Sequence, residues 1–519
     1  MCLLKRFLLI TFFVLVIPCS TFGDKSSPDG QQRLQNNIAP LKNIFENTSL
    51  ITLSNGLKVV LVKRNQAPVF TGQIHVRVGG VDEPLGRSGA AHLLEHMAFK
   101  GSKTIGTKNY RQERPLLKRV HSLLEKENRT AEEDDEIKKL EEKLTELWID
   151  NEFGTIYKEV GAVGLNAGTA KDYTYYTVSL PKNAFEVWCW LESDRLLNPV
   201  FRQFYKERDV VLEERRSRVD DDPAGKLYEM LLAVSFLSHP YRVPVIGWFS
   251  EVSRLLVRDV EALHDTYYRP DNMVISLAGD LEESRITPLL EKYFGRLPVR
   301  STELPQIITR EEPQKGERRT EVIFDAQPRL QMAFHKPAYP DKDDLYFSIL
   351  HSVLSDGRSS ILKKELLRDK QTALGISAFE APGTLYPSLF IVSAVPRSGV
   401  PNQQLIAEIQ GIFDRLKMQP ISERQLEGAK RRVNMELLSM LESNTSLATV
   451  FGQNELFYGD YRELIKAYEI IISTTIQDVR QLAEKYLGAE QRTVAEIVGA
   501  GANPAPTETV LPDSTIIGD

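Results

Sequence analysis

The chain has 519 residues, more than one ordinary hydrophobic core holds, so two or more domains are expected. Apolar content of 42% with 26% charged residues is that of a globular protein. A formal charge of -6 offers no basic field, which excludes nucleic acid as a partner.

At the start, Lys5 and Arg6 precede an apolar run from Phe7 to Ile17 and then Pro18. This pattern predicts an export signal over residues 1–23, cut before Asp24, with an uncleaved anchor as the alternative. The expected location is therefore the periplasm, either free or attached to the inner membrane. Pro18 before Cys19 makes a poor lipidation site. Without the leader only Cys189 remains, too few for a disulfide framework, and it reads as helix packing.

Residues 51–79 carry two alternating apolar runs, and an Asn-Gly pair breaks the first, predicting a hairpin that enters an antiparallel sheet. "AHLLEHMAFKGS" follows at 91–102. If 88–99 is helical, His92 and His96 lie one turn apart and can reach one ion, and Glu95 shares their face. Leu93, Leu94 and Met97 then point into a core. Imidazole nitrogens suit zinc, but a catalytic zinc needs a third protein ligand and an open position.

Residues 113–148 are dense in Lys, Glu and Leu, with Ile137, Leu140, Leu144 and Leu147 at helical spacing, and read as a solvated helical hairpin. "VGLNAGTAKDYTYYTVSL" reads as a strand. "KERDVVLEERRSRVDDDP" is a polar helix on which Glu207 and Glu214 share a face two turns apart; by itself it reads as a solvated surface. Glu213 is turned away from that face.

The stretch from Val257 repeats from Ile476, an offset of 219, with Asp259, Val260, Leu263 and Tyr267 matching Asp478, Val479, Leu482 and Tyr486. Each copy is a helix leading into an apolar strand, so a duplicated domain is expected. The halves are placed at 45–297, with a helical insertion over about 108–152, and at 319–500. A Pro- and charge-rich linker separates them over 298–318 and a flexible tail follows over 501–519. His75, His121, His239, His264, His335 and His351 show no spacing that suggests a second site and read as surface or packing residues. Arg358 and the serines around it read as a turn and helix start.

The inverted motif resembles that of the pitrilysin and insulinase family (M16) of zinc peptidases. "LSNGLKVVLV", "GRSGAAHLLEHMAFKGS", "GLNAGTAKDYTYYTVSLP", "LESDRLLNPVF", "HPYRVPVIGW" and "YYRPDNMVISLAGDL" resemble family segments in the expected order. The resemblance implies an α+β fold of two related domains, each an antiparallel sheet backed by helices. It implies one zinc held by His92, His96 and Glu214, with Glu95 as general base and Glu207 as the carboxylate supporting a ligand. It further implies a substrate strand around Asn166 and Ala167, where Gly168 stands in place of an aromatic ring common in relatives. In the second domain Arg368 takes the position of an arginine that steadies the substrate carbonyl. Its partner tyrosine is replaced by Gly375. The expectation is a zinc endopeptidase acting on short or unfolded peptides, paired with a second, related chain that supplies the tyrosine. The alternative is a non-catalytic chamber or assembly subunit.

Overall fold

The computed structural model describes residues 42–499. The expected leader, 1–23, and the whole of the expected tail, 501–519, lie outside the described residues. Residues 42–46 form a short helical segment of their own, and the body begins at Asn47.

Two sheets organise the body. The first consists of β1 (Thr48–Thr52), β2 (Lys58–Lys63), β3 (Val69–Val76), β4 (Val163–Thr169), β5 (Thr174–Pro181) and β6 (Met273–Gly279), in the order β1-β2-β6-β3-β5-β4. The second consists of β7 (Arg318–Ile323), β8 (Arg329–Lys336), β9 (Ala373–Ala381), β10 (Ser388–Pro396) and β11 (Arg492–Val498), in the order β7-β11-β8-β10-β9. Asn55 and Gly56 do turn β1 into β2, but β6 rather than β3 lies beside β2. The stretch 163–181 is two strands, not one, and β4 is the sheet's edge.

The sheets are not wholly antiparallel: β2 runs parallel to β6, and β7 to β11. In each half a helix delivers the chain to that central strand, Val257–Tyr267 before β6 and Ile476–Tyr486 before β11, and such a crossover permits parallel pairing. All seven residues of β6 are buried, the pattern of a strand covered on both faces. β11 lies 219 positions after β6, and β7-β11-β8-β10-β9 repeats the order β2-β6-β3-β5-β4. Asp259 and Asp478 play the same part, each accepting a hydrogen bond from the backbone N–H three residues before it, at 2.9 and 2.7 Å.

Each half lends the other a helix. Helix Pro223–Ser235 packs on β7, β8 and β11, and helix Asn444–Tyr458 packs on β2, β3 and β6. The first contact is apolar, with Leu227, Leu231 and Leu232 against Leu389, Ile391 and Ile497. The second is polar and close. Gln73 Nε2 donates to Thr449 Oγ1 at 3.0 Å, and Lys58 Nζ donates to Glu455 Oε1 at 2.6 Å. Gly452 is required there, because a Cβ would come 2.4 Å from His75 Nε2.

The charged insertion folds as helices Tyr110–Leu124 and Ala131–Leu147, the second begun by a Thr130–Glu133 capping box. Leu117, Val120 and Leu144 join it to Val200, and the buried pair of Arg202 Nε with Glu113 Oε1 at 2.6 Å ties its root to the body. Among the described residues no helix is long and apolar enough to cross a membrane.

Candidate metal centre

Helix Ala90–Met97 carries the motif. It starts at Gly89, whose φ of 86° and close contact with Val252 both require glycine. Glu83 accepts hydrogen bonds from the N–H groups of Gly89 and Ala91 at 3.0 and 2.8 Å and so anchors the helix start. Leu93, Leu94 and Met97 are buried in the first core, leaving His92, Glu95 and His96 to face the neighbouring helix Phe204–Arg215. Buried arginines hold that helix at both ends. Arg202 precedes it, and Arg215 Nη1 donates to Glu229 Oε2 at 2.7 Å and to the Gly247 carbonyl at 2.8 Å.

Across this helix pair His92, His96 and Glu214 come together, each offering one ligand atom, all within 4.8 Å of one another. His92 Nε2 lies 3.9 Å from Glu214 Oε1, and His96 Nε2 lies 3.4 Å from Glu214 Oε2. This is the one such group of His, Cys, Asp and Glu among the described residues. Two imidazole nitrogens and a carboxylate oxygen form a donor set that suits zinc. His96 Nδ1 donates to Glu207 Oε1 at 3.1 Å. A carboxylate can only accept, so the proton sits on Nδ1 and Nε2 is turned toward Glu214.

Burial holds His92 neutral, its pKa lowered to about 4, with the His96 charge adding to the effect. Its Nδ1 is buried without a hydrogen-bond partner. Burial also opposes charge on His96, but bonds to Glu207 and Glu214 outweigh it and lift the pKa to about 9. Glu214 shows the reciprocal balance: burial raises its pKa, His96 and the neighbouring cations pull it down further, and it settles at about 2. Burial raises Glu95, with the Thr169 hydroxyl opposing. Thr169 Oγ1 donates to Glu95 Oε2 at 2.9 Å and so ties the motif helix to the end of β4.

Asn166 and Ala167 lie on edge strand β4, paired with Thr177 and Tyr176. The site of a ring at Gly168 is already filled, since a Cβ there would come 2.7 Å from the Tyr175 ring of the adjacent strand. Glu213 pairs with Arg216 at the surface. Arg368 is not brought to the centre: its side chain is 60% exposed and pairs with neighbouring Asp369 at 3.2 Å. Gly375, on edge strand β9, has open space where a side chain would project.

Three further contacts at the centre were not foreseen. Lys100 Nζ pairs with Glu207 Oε2 at 2.5 Å, Arg218 pairs with Glu214, and Thr169 holds Glu95. Lys100 follows His96 by four residues and Arg218 follows Glu214 by four, a spacing that could have signalled both. The other described histidines bond elsewhere, for example His75 to Ser276 and His335 to the Ser235 carbonyl.

Family comparisons agree with this geometry. The model described as "Insulinase (Peptidase family M16)" matches residues 58–115, and "Peptidase M16 inactive domain" matches 255–433. The zinc protease PqqE of Helicobacter pylori is 27% identical over 450 residues, covering 85% of this chain and 91% of that protein. The mitochondrial-processing peptidase subunit beta of Lentinula edodes is 24% identical over 477 residues, 89% and 92% of the two chains. A crystal structure of a protease from Helicobacter pylori superposes with a TM-score of 0.74 at 25% identity, covering 87% of this chain and 99% of that one. A Pseudomonas fluorescens structure titled "peptidase M16 inactive domain" shares the fold with a TM-score of 0.71 at 16% identity, covering 89% and 99%. With two homologous sheets, an inverted His-Glu-His helix and relatives named zinc protease along most of its length, the chain belongs to peptidase family M16.

Proposed function

We propose that the chain is a zinc-dependent endopeptidase for short or unfolded peptides and the metal-bearing member of a two-chain enzyme. The observation that carries this reading is the convergence of His92 and His96, on the helix that also carries Glu95, with Glu214 of the neighbouring helix, their ligand atoms all within 4.8 Å of one another. When bound, zinc would supply Lewis-acid chemistry, making water acidic and polarising a peptide carbonyl. Glu207 keeps the proton on His96 Nδ1, which reserves Nε2 for the ion. Thr169 occupies Glu95 Oε2 and leaves Oε1 to take a proton from the attacking water and pass it to the leaving amine. The open side of β4 would pair with the backbone of an extended peptide, giving broad sequence tolerance.

The two-chain reading rests on the second half. Arg368 is exposed and Gly375 leaves a gap, so a tyrosine hydroxyl for the developing oxyanion would come from a related chain. One relative is itself named as a subunit. The leader-like start would place this activity in the periplasm or on the inner membrane, which cell fractionation tests.

Zinc-loaded chain should cleave unstructured peptides, weakly alone and strongly with its co-purifying homologue. Glu95→Gln should keep the zinc and lose about 10²–10⁴-fold in turnover. Cleavage unchanged in that variant would sink the mechanism. The same gap at Gly375 favours a second reading, a non-catalytic assembly subunit; absence of both zinc and hydrolysis in every pairing would support it.

A further inference from the structure

Two hairpin turns that correspond in the repeat, 170–173 between β4 and β5 and 382–387 between β9 and β10, lie against each other where the halves meet. One buried carboxylate joins them. Asp172 Oδ1 accepts a hydrogen bond from the Tyr241 hydroxyl at 2.6 Å, and Oδ2 accepts from the N–H groups of Thr384 and Leu385 at 2.6 and 3.3 Å. The Tyr241 hydroxyl oxygen in turn accepts from the Tyr386 N–H at 3.2 Å. Asp172 and Tyr241 are both buried, so each of these bonds stands where water would otherwise be needed. Gly383 lets the second turn come this close. A Cβ there would lie 2.2 Å from the Tyr241 hydroxyl oxygen and 2.6 Å from Asp172 Oδ2.

The turn that Asp172 holds begins directly after Thr169, the last residue of β4 and the donor to Glu95 Oε2. β4 has little else to fix that end. It is paired on one side only, and its register with β5 shifts between Val163 and Asn166. The same turn is tied to the segment that leads into the motif helix. The carbonyls of Ala170 and Lys171 accept from the N–H groups of Gly80 and Val81 at 3.1 and 2.9 Å, and Thr174 Oγ1 donates to the Val78 carbonyl at 2.9 Å. That segment runs on to Glu83, which anchors the helix start. A contact made by the second half is thus three residues away from the bond that orients Glu95.

From this geometry we infer that Asp172 is a positioning residue: by accepting the N–H groups of the 382–387 turn it fixes the end of β4, and with it Thr169 and Glu95. The second half, which contributes no ligand to the group at the centre, therefore sets the alignment of the base. The inference rests on the peptidase reading for what Glu95 does. The seam between the halves serves the reaction as well as the fold.

The test uses full-length, zinc-loaded chain, alone and with its co-purifying homologue, on one unstructured peptide. Asp172→Ala should lower kcat about 10²-fold while KM and zinc content stay within about twofold. Asp172→Asn keeps an acceptor for the two N–H groups and should recover all but about fivefold. A double-mutant cycle with Thr169→Val then asks whether the effect runs through Thr169. If it does, the double variant loses no more than the worse single variant. Losses that multiply, or an unchanged kcat in Asp172→Ala, would overturn the inference. If Asp172→Ala does not fold, Tyr241→Phe takes its place in the cycle, removing one donor for a loss of about tenfold. Hydrogen exchange read by mass spectrometry needs no cleavage at all. Asp172→Ala, or Tyr241→Phe in its place, should speed exchange at least about threefold in 90–97 and 163–169. Faster exchange confined to 170–173 and 382–387 would overturn the link. Failure of the wild-type chain to cut the peptide, alone or with its partner, would sink the peptidase reading and leave the exchange comparison to decide this one.

Discussion

The two halves use one scaffold for opposite purposes. Helix 204–215 packs on the motif helix 90–97, and its counterpart 423–440, begun 219 residues later, packs on helix 342–355. At that offset Glu207 becomes Leu426, Glu214 becomes Val433 and Arg202 becomes Ile421. Leu426 and Ile421 are buried in the second core, and Val433 packs against it. The start of the helix changes too: Gln203 is left-handed and uncapped, whereas Ser422 forms a capping box with Gln425. The second half closes this helix pair with apolar packing. The first keeps carboxylates between its helices and holds them from outside with buried arginines, so ligand chemistry displaces core rather than adding to it.

Copying the second half into the first breaks this contrast in graded steps. Arg202→Ile should be the most damaging to stability, because Glu113, with no exposed side-chain surface, loses the cation paired with it and keeps only the Trp148 indole N–H. A loss of about 3–5 kcal/mol is expected in denaturant unfolding, and Glu113→Leu in the same chain should restore part of it.

Glu207→Gln should lower zinc affinity by about 10–100-fold, read by competition with a chelator. The same variant should change the pH dependence. In the metal-free chain His96 holds its proton up to about pH 9, so its contribution to stability is full below its ordinary 6.5 and is lost as pH rises through 9. Zinc must displace that proton, so affinity should climb about tenfold per pH unit up to roughly 9. His92, already neutral above about pH 4, does not compete at higher pH. Without the Glu207 charge the climb should level off at lower pH.

Gly375→Tyr should be the mildest change to the fold. Open space at the site predicts a stability effect within about 0.5 kcal/mol, while turnover by the lone chain should rise if a tyrosine is what it lacks.

Local signals carried much of the fold and the site. The motif helix, the charged hairpin and the repeat at 219 are all patterns of a few turns, where spacing fixes which face is shared. Exchange of helices 223–235 and 444–458 left no such mark, because it is decided by which distant sheet each covers. Parallel pairing of β2 with β6 was hidden for the same reason. Around the metal centre the motif pointed to His92, Glu95 and His96, and family resemblance singled out Glu207 and Glu214. Lys100, Thr169 and Arg218 act through single contacts that only packing creates. Arg368 entered by resemblance alone, and its surface pairing with Asp369 shows the limit of carrying over one position.

The central claim is that one chain holds one zinc through a carboxylate its second half has replaced with valine. Metal analysis after dialysis, on the full chain and on Glu214→Val, tests it directly. The account predicts about one zinc per wild-type chain and essentially none in the variant, with both folded. Zinc retained by Glu214→Val, or no zinc in the wild-type chain at neutral pH, would contradict it.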